Sequence, residues 1–221
     1  MISVVLTSCG RLELLKITLD SFNKFNKYPI TEFIIIDDSG NKDIHNELKN
    51  VYPDYKLILN PENRGVTACI DDAYNHVKTP YIFHCEDDWE FTKSGFIEKS
   101  IDIIKSKPTV MQVWLRGINN PNSHPIEKES FFIGDVEYKY VSVNFGGVWH
   151  GFTFNPSVRR LKDYLRVAPY CGIRYDGYTG NANPVFENYI GRRYYEMGFR
   201  AVTLIDEYCV HIGAGKKAIA G

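Results

Sequence analysis

Four short apolar runs in the first half of the chain constrain its fold more than any other feature: Ile2–Leu6, Phe33–Ile36, Leu57–Leu59 and Tyr81–His84. They are rich in β-branched and aromatic residues, do not alternate strictly with polar ones, and each ends in polar or turn-forming residues. Unbroken apolar character is expected of strands covered on both faces, as in a parallel sheet. Between the runs the spacing becomes helical. Val66, Cys69, Ile70, Ala73, Tyr74 and Val77 form one face, Leu12, Leu15, Leu19 and Phe22 a second, and Ile97, Ile101 and Ile104 a third, which Pro108 bounds. Strands and helices in alternation predict βαβ units with right-handed crossovers.

The second half follows a different pattern. Val110–Leu115 is an expected strand, and residues 116–130, rich in Asn, Pro and Ser, are an expected loop. Phe131–Val143 suits a hairpin or irregular strand pair. Asn155-Pro156 has the form of a helix start, an N-cap followed by proline at the first helical position. Residues 168–183 are dense in Gly and Tyr and form an expected long loop and candidate lid. A helix is expected over Pro184–Met197 and a last strand over Ala201–Ile205.

Composition narrows the function classes. Lys+Arg number 26 against 27 Asp+Glu, a net charge of −1, which argues against a dedicated nucleic-acid binder. With 44% hydrophobic residues over 221 positions the chain can bury a substantial core. No apolar stretch approaches the roughly 20 residues of a membrane-spanning helix, and the start MISVVLTSCGR lacks the pattern of a secretory signal. A cytoplasmic location is therefore expected, with a peripheral place at a membrane face compatible with it. The scattered cysteines Cys9, Cys69, Cys85, Cys171 and Cys209 include no CxxC pair. Four of the five have apolar neighbours and are expected to be small buried hydrophobes. His45, His76 and His124 are expected at the surface, and His84 inside the sheet.

In an open parallel sheet ligands bind outside the carboxyl ends of the strands. The residues placed there are Thr7, Ser8 and Cys9; Asp37, Asp38 and Ser39; Asn60, Asn63, Arg64 and Gly65; and Glu86, Asp87, Asp88 and Trp89. Five carboxylates collect at one edge, with Arg64 as the lone cation expected among them. Clustered like charges need a positive partner, and a divalent ion held by hard oxygen ligands is the simplest one. Glu86 and Asp88, two residues apart, would face the same way in an extended segment. Solvated loop acids and helix caps are the competing explanation, and it weighs most on Asp37-Asp38.

IIIDDSG, then NPENRGVTACIDDAY, then YIFHCEDDW resembles, in order and spacing, the nucleotide-sugar-binding half of the GT-A glycosyltransferases, particularly family 2. The resemblance implies an α/β GT-A fold, Rossmann-like, with a mostly parallel sheet flanked by helices. It implies a single domain over residues 1–221, with a nucleotide-sugar half (1–115) and a smaller mixed acceptor half (116–221). It also implies an inverting, metal-dependent transfer from a nucleotide-diphosphate sugar, expected to be UDP-linked, to a glycan, lipid-linked or protein acceptor.

Carried over by residue, Thr7 and Ser8 would line the base pocket and Asp37 or Asp38 would accept from the base. Arg64 would lie near base or phosphates, and Asp87 would reach the ribose or the metal. Asp88 and Glu86 would hold Mn2+ or Mg2+, with His211 of Cys209-Val210-His211-Ile212-Gly213 completing the site. Phe186-Glu187-Asn188-Tyr189 stands at the family's acidic motif, with Asn188 where the second acid is usual. Glu187 is therefore the leading catalytic base and Asp176 the reserve. Val148–Phe154, around His150, is a candidate sugar-binding loop, with a core tryptophan beside a turn as its alternative. A sugar nucleotidyltransferase fits less well, because Ser8-Cys9-Gly10-Arg11-Leu12 is too short and glycine-poor for that class's first loop. A non-catalytic nucleotide-sugar or glycan-binding module stays open, and a carboxylate–metal phosphohydrolase fits least.

Overall fold

A computed structural model describes residues 1–119, 124–143, 146, 148–173 and 183–215. Along the chain lie β1 (Ile2–Ser8), α1 (Leu12–Phe25), β2 (Glu32–Asp37), α2 (Lys42–Val51), β3 (Lys56–Leu59), α3 (Val66–Asn75), β4 (Tyr81–Glu86) and β5 (Trp89–Phe91). They are followed by α4 (Phe96–Ser106), β6 (Val110–Trp114), β7 (Phe131–Ile133), β8 (Val136–Tyr140) and β9 (Ser157–Arg160). The last are α5 (Leu161–Leu165), α6 (Asn183–Glu196), β10 (Arg200–Leu204) and β11 (Cys209–His211).

Among the described residues one nine-stranded sheet has the order β3-β2-β1-β4-β9-β6-β10-β8-β7. The first four strands are mutually parallel, with Ser8 opposite Asp37 and Thr7 opposite Glu86. The chain leaves β1 for β2 on one side and returns through β4 on the other. Such a reversal opens a crevice at the carboxyl ends of the strands. β1 is buried along its whole length, as its unbroken apolar sequence requires. The α1 face Leu15, Leu19 and Phe22 packs inward, and Phe22 sits 5.4 Å from both Phe83 and Phe91. Each such aromatic or leucine side chain contributes about 1.5–3 kcal/mol by leaving water.

The second half departs from the sequence expectation at one central place. Asn155-Pro156 does not start a helix. Ser157–Arg160 form β9, antiparallel between β4 and β6, with Val158 opposite both Phe83 and Val113. The two arginines stay buried because backbone carbonyls satisfy them. Arg159 donates to the Thr153 carbonyl and to the Ser157 and Tyr74 hydroxyls. Arg160 donates to the carbonyls of Ile104, Lys107, Pro108 and Val110 and pairs with Asp163 at 2.6 Å. Buried cations this well bonded are tolerated in an interior strand. The sheet is accordingly mixed, with β9, β8 and β7 all in antiparallel pairings.

Other local expectations change too. Cys171 is exposed and Cys9 half-buried, while Cys69, Cys85 and Cys209 are interior. His45 is not a surface residue; it lies buried at 3.2 Å from the Asp37 carboxylate. His124 is half-buried with its ring 4.0 Å from that of Trp149. No helix among the described residues is long and apolar enough to cross a membrane.

Candidate functional site

The crevice predicted by the strand order is a cleft of about 280 Å3. Its walls include Thr7, Ser8 and Cys9 from the end of β1, Asp38 beyond β2, and Asn63, Gly65 and Val66 at the start of α3. Glu86 closes it from β4, and Arg11 stands at the entry to α1.

The two adjacent aspartates after β2 have different surroundings. Asp37 is fully buried and accepts from the Gly10 amide at 3.0 Å, the Ser39 amide at 3.0 Å and the Ser39 hydroxyl, besides facing His45. Burial pushes its pKa up, but those hydrogen bonds outweigh it and hold the carboxyl below its ordinary value. Asp37 thus latches the β1 and β2 loops together, and Asp38 is the member of the pair on the cleft wall. The Asp38 carboxylate accepts from the amides of Arg64 and Gly65, at 2.9 and 2.8 Å, and from Asn60 at 2.8 Å. It therefore caps the amino end of α3, where Gly65 has φ 86° and no hydroxyl or carboxylate of its own.

Arg64 does not join the acids. Its guanidinium turns to Asp72 on the outer side of α3. The cation among the acids is Arg11. Its Nη1 lies 2.8 Å from Asp88 Oδ2, its Nη2 pairs with Asp87 Oδ1, and its Nε reaches Asp87 Oδ2 at 3.3 Å. Arg11 lies three residues past β1, within reach of the same strand-end rule that selects Thr7 and Ser8, yet nothing in the sequence says which acid it meets.

The three acids after β4 also divide. Asp87 is fully buried, turned toward Ser8 (2.9 Å) and Arg11. Burial raises its pKa, Arg11 partly reverses this, and Asp88 adds to it, for a value of about 6. Glu86 lines the cleft and accepts from the Trp89 indole at 3.4 Å. Burial first, then the charges of Asp88 and Glu187, push Glu86 well above the usual carboxylate range. Asp88 meets His211, whose Nε2 is 3.2 Å from Oδ2 across 123 positions of sequence.

That meeting depends on β11, which pairs antiparallel with β5 and sets His211 opposite Trp89. The Ile212 amide bonds the Asp88 carbonyl at 2.9 Å. Gly213 packs so closely that a Cβ there would come within 2.8 Å of Asp88 Cβ and nearer still to Oδ2.

Asp88 and His211 suit a divalent ion in one further respect: Asp88 Oδ1 is buried without a hydrogen-bond partner. One carboxylate and one imidazole form a sparse donor set, compatible with Mn2+ or Mg2+ that takes its other ligands from phosphate and water. Among the described residues no group of three or more His, Cys, Asp or Glu side chains is arranged to hold a metal.

Glu187, in the first turns of α6, is held by β9's approach loop. Its Oε1 accepts from the Thr153 hydroxyl and the Phe154 amide, each at 2.7 Å. Burial raises its pKa, and these two bonds and the charge of Arg159 only partly oppose that. Asp176 lies outside the described residues, as do 174–182 of the candidate lid. In Val148–Phe154 the aromatic faces are engaged in the core. Trp149 packs on Trp114 at 5.3 Å, and Phe152 stacks on Tyr194 at 5.7 Å under the Arg159 guanidinium. His150 lies flat on Tyr195 at 4.5 Å. The segment is a core tryptophan beside a turn rather than an open sugar platform.

Residues 3–175 match the family profile described as glycosyl transferase family 2. No curated protein sequence matches the chain significantly. Among solved structures, the mannosyltransferase PcManGT from Pyrobaculum calidifontis, in complex with GDP-Man and Mn2+, superposes with a TM-score of 0.64. It is 16% identical, over 98% of this chain and 58% of that one. TarS 1-349 from S. aureus, in complex with UDP, gives 0.65 at 15% identity, over 94% and 59%. GalNAc-T7 with UDP, GalNAc and Mn2+ gives 0.63 at 12% identity, over 96% and 43%. The chain thus spans about six-tenths or less of these proteins' lengths, and at such identities the likeness establishes a shared GT-A fold.

Proposed function

Because the chain belongs to glycosyl transferase family 2, we propose that it is an inverting glycosyltransferase that moves a sugar from a nucleoside-diphosphate sugar to a hydroxyl acceptor. The observation that carries this reading is the cleft at the β1/β4 reversal, which Thr7, Ser8, Asp38 and Glu86 line together. A nucleobase offers N–H donors to Asp38 and the hydroxyls of Thr7 and Ser8, and the acidic rim lies where a diphosphate would follow. TarS and GalNAc-T7 were solved with UDP and PcManGT with GDP-Man. We take UDP as the first donor nucleotide to test.

Asp88 and His211 would hold Mn2+ or Mg2+, with Glu86 adjoining. The ion would supply positive charge to the diphosphate as it leaves. Glu187 is the base of this reading. A carboxyl held above its ordinary pKa takes a proton from an acceptor hydroxyl more readily than a surface glutamate does. That hydroxyl then attacks the anomeric carbon from the face opposite the leaving group, through a transition state with oxocarbenium character. Thr153 and Phe154 fix the carboxylate's orientation. The acceptor is a glycan, a lipid-linked sugar or a protein side chain, and it would approach over the half built from β9 and α6.

A thermal-shift screen of UDP- and GDP-sugars with and without Mn2+ tests the donor reading. The expected result is a shift that needs both donor and ion and disappears in Asp88→Ala. Nucleotide release measured with and without candidate acceptors then separates a transferase from a binding module. Ion-dependent donor binding with no turnover on any acceptor would refute catalysis and leave the binding module.

A further inference from the structure

Arg11 occupies the place where a divalent ion would be expected to act. Its planar fork spans two carboxylates at once: Nη2 and Nε engage Asp87, and Nη1 engages Asp88 Oδ2 at 2.8 Å. That same oxygen faces His211 Nε2 at 3.2 Å. The point of convergence of Asp88 and His211 is thus already held by a permanent cation, since a guanidinium does not lose its proton in a protein. An ion bound to Asp88 at ~2.0–2.2 Å would meet Nη1 at a separation where like charges repel strongly in a partly dry site.

The anchoring of the fork is unequal. Asp87 is fully buried and also takes the Ser8 hydroxyl, so it retains two of the three contacts. The Nη1 contact goes to Asp88, the less deeply buried of the two acids, and Arg11 itself lines the cleft beside Thr7, Ser8 and Asp38.

Resting on the metal-assisted transferase reading above, we infer that Arg11 is a resident counter-ion for Asp88. It must turn from Asp88 toward a bound diphosphate before a divalent ion can take its place. A diphosphate presents paired oxygens to which a guanidinium bonds as well as it does to a carboxylate. Its negative charge also lets two cations lie close together. Ion and nucleotide therefore bind as a coupled pair, each raising the affinity of the other by the same factor. The ion alone is held weakly because Arg11 competes with it.

The test is Mn2+ binding by electron paramagnetic resonance, read as loss of the free-ion signal, with no turnover involved. Wild type, Arg11→Gln and Arg11→Lys are titrated with Mn2+ alone and again with UDP or GDP, and uptake in the second arm is the signal loss beyond that of the same nucleotide without protein. Arg11→Gln should bind Mn2+ alone about tenfold more tightly than wild type, which corresponds to about 1.4 kcal/mol. The second change Asp88→Asn should abolish the gain.

Arg11→Lys keeps a cation on Asp87 but lacks the fork to reach both acids, so it should shift in the same direction. It carries the test if circular dichroism shows Arg11→Gln unfolded. Arg64→Gln removes an equal charge from a residue paired with Asp72 and should leave Mn2+ affinity within about twofold of wild type. The inference is overturned if both Arg11 variants bind Mn2+ alone as wild type does, if Arg64→Gln gives the same gain, or if the gain survives Asp88→Asn. Absence of Mn2+ uptake by every variant, even with UDP or GDP, would instead defeat the metal-assisted reading itself.

Discussion

Glu187→Gln separates the fold's need for this side chain from the chemistry assigned to it. The Glu187 Oε1 atom accepts both the Thr153 hydroxyl and the Phe154 amide at 2.7 Å, and an amide oxygen can accept both. What is lost is the charge-assisted part of each bond, about 1 kcal/mol apiece at most. Against this stands relief from burying a carboxylate, and the raised pKa says that burial outweighs the bonds. The net change in unfolding free energy should therefore stay within about 1 kcal/mol. Glu187→Ala, by contrast, leaves the Phe154 amide without its acceptor and should cost about 1–3 kcal/mol.

The pH dependence has a definite sign. A carboxyl with a folded-state pKa above the ordinary 4.5 contributes stability that is fully present below 4.5 and is lost as pH rises through the folded value. Glu187→Gln should flatten that part of the profile. Catalysis moves the other way, because the base must be deprotonated. Wild-type kcat should rise with pH along an acid limb centred above 4.5. The glutamine variant should lose about 10²–10⁴-fold in kcat and the limb with it. Urea unfolding at several pH values and UDP release in the presence of an acceptor measure the two effects. A folded Glu187→Gln enzyme within about threefold of wild-type kcat would refute the assignment of Glu187 as base.

Gly213→Ala should act at a distance from the nucleotide pocket. Its Cβ would press on Asp88 at 2.8 Å, so Mn2+-dependent stabilisation by UDP should weaken while the circular dichroism spectrum stays that of wild type. Asp37→Asn should reduce stability by about 1–3 kcal/mol, because an amide cannot accept from Gly10 and Ser39 as an anion does. The depressed pKa of Asp37 means that this contribution exists above its unfolded-state value and fades as pH falls through the folded one. The gap between wild type and variant in urea midpoints should accordingly close in acid, and a constant gap would contradict the latch described for Asp37.

Helix and strand periodicity is a local property, and that is why much of this molecule is legible in its sequence. The unbroken apolar runs become β1 to β4 in parallel register, and the α1 and α3 faces pack as their spacing requires. A parallel sheet delivers its strand ends to one edge, so the placing of Thr7, Ser8, Asp38 and Glu86 around a cleft followed from the order of elements alone. Ser157-Val158-Arg159-Arg160 defeated the same logic. A strand with two arginines has no apolar signature, and it is interior only because carbonyls from distant loops bond its guanidinium groups.

Charge pairing was beyond the sequence for a related reason. Adjacent aspartates with the same chemistry took opposite roles at 37 and 38, at the end of a strand, and again at 87 and 88, in a turn, because neighbouring side chains leave the chain in different directions. Arg64, near the acids in sequence, faces Asp72, whereas Arg11 bridges to acids more than seventy positions away. The sequence by itself determined which elements form and which edge of the sheet gathers acids, since both follow from local pattern. Which cation each acid meets, and that His211 reaches Asp88 at all, was decided by tertiary structure. A Coulomb or hydrogen-bond contact depends on separation in space, and no local pattern encodes a separation closed by strand pairing 123 residues apart.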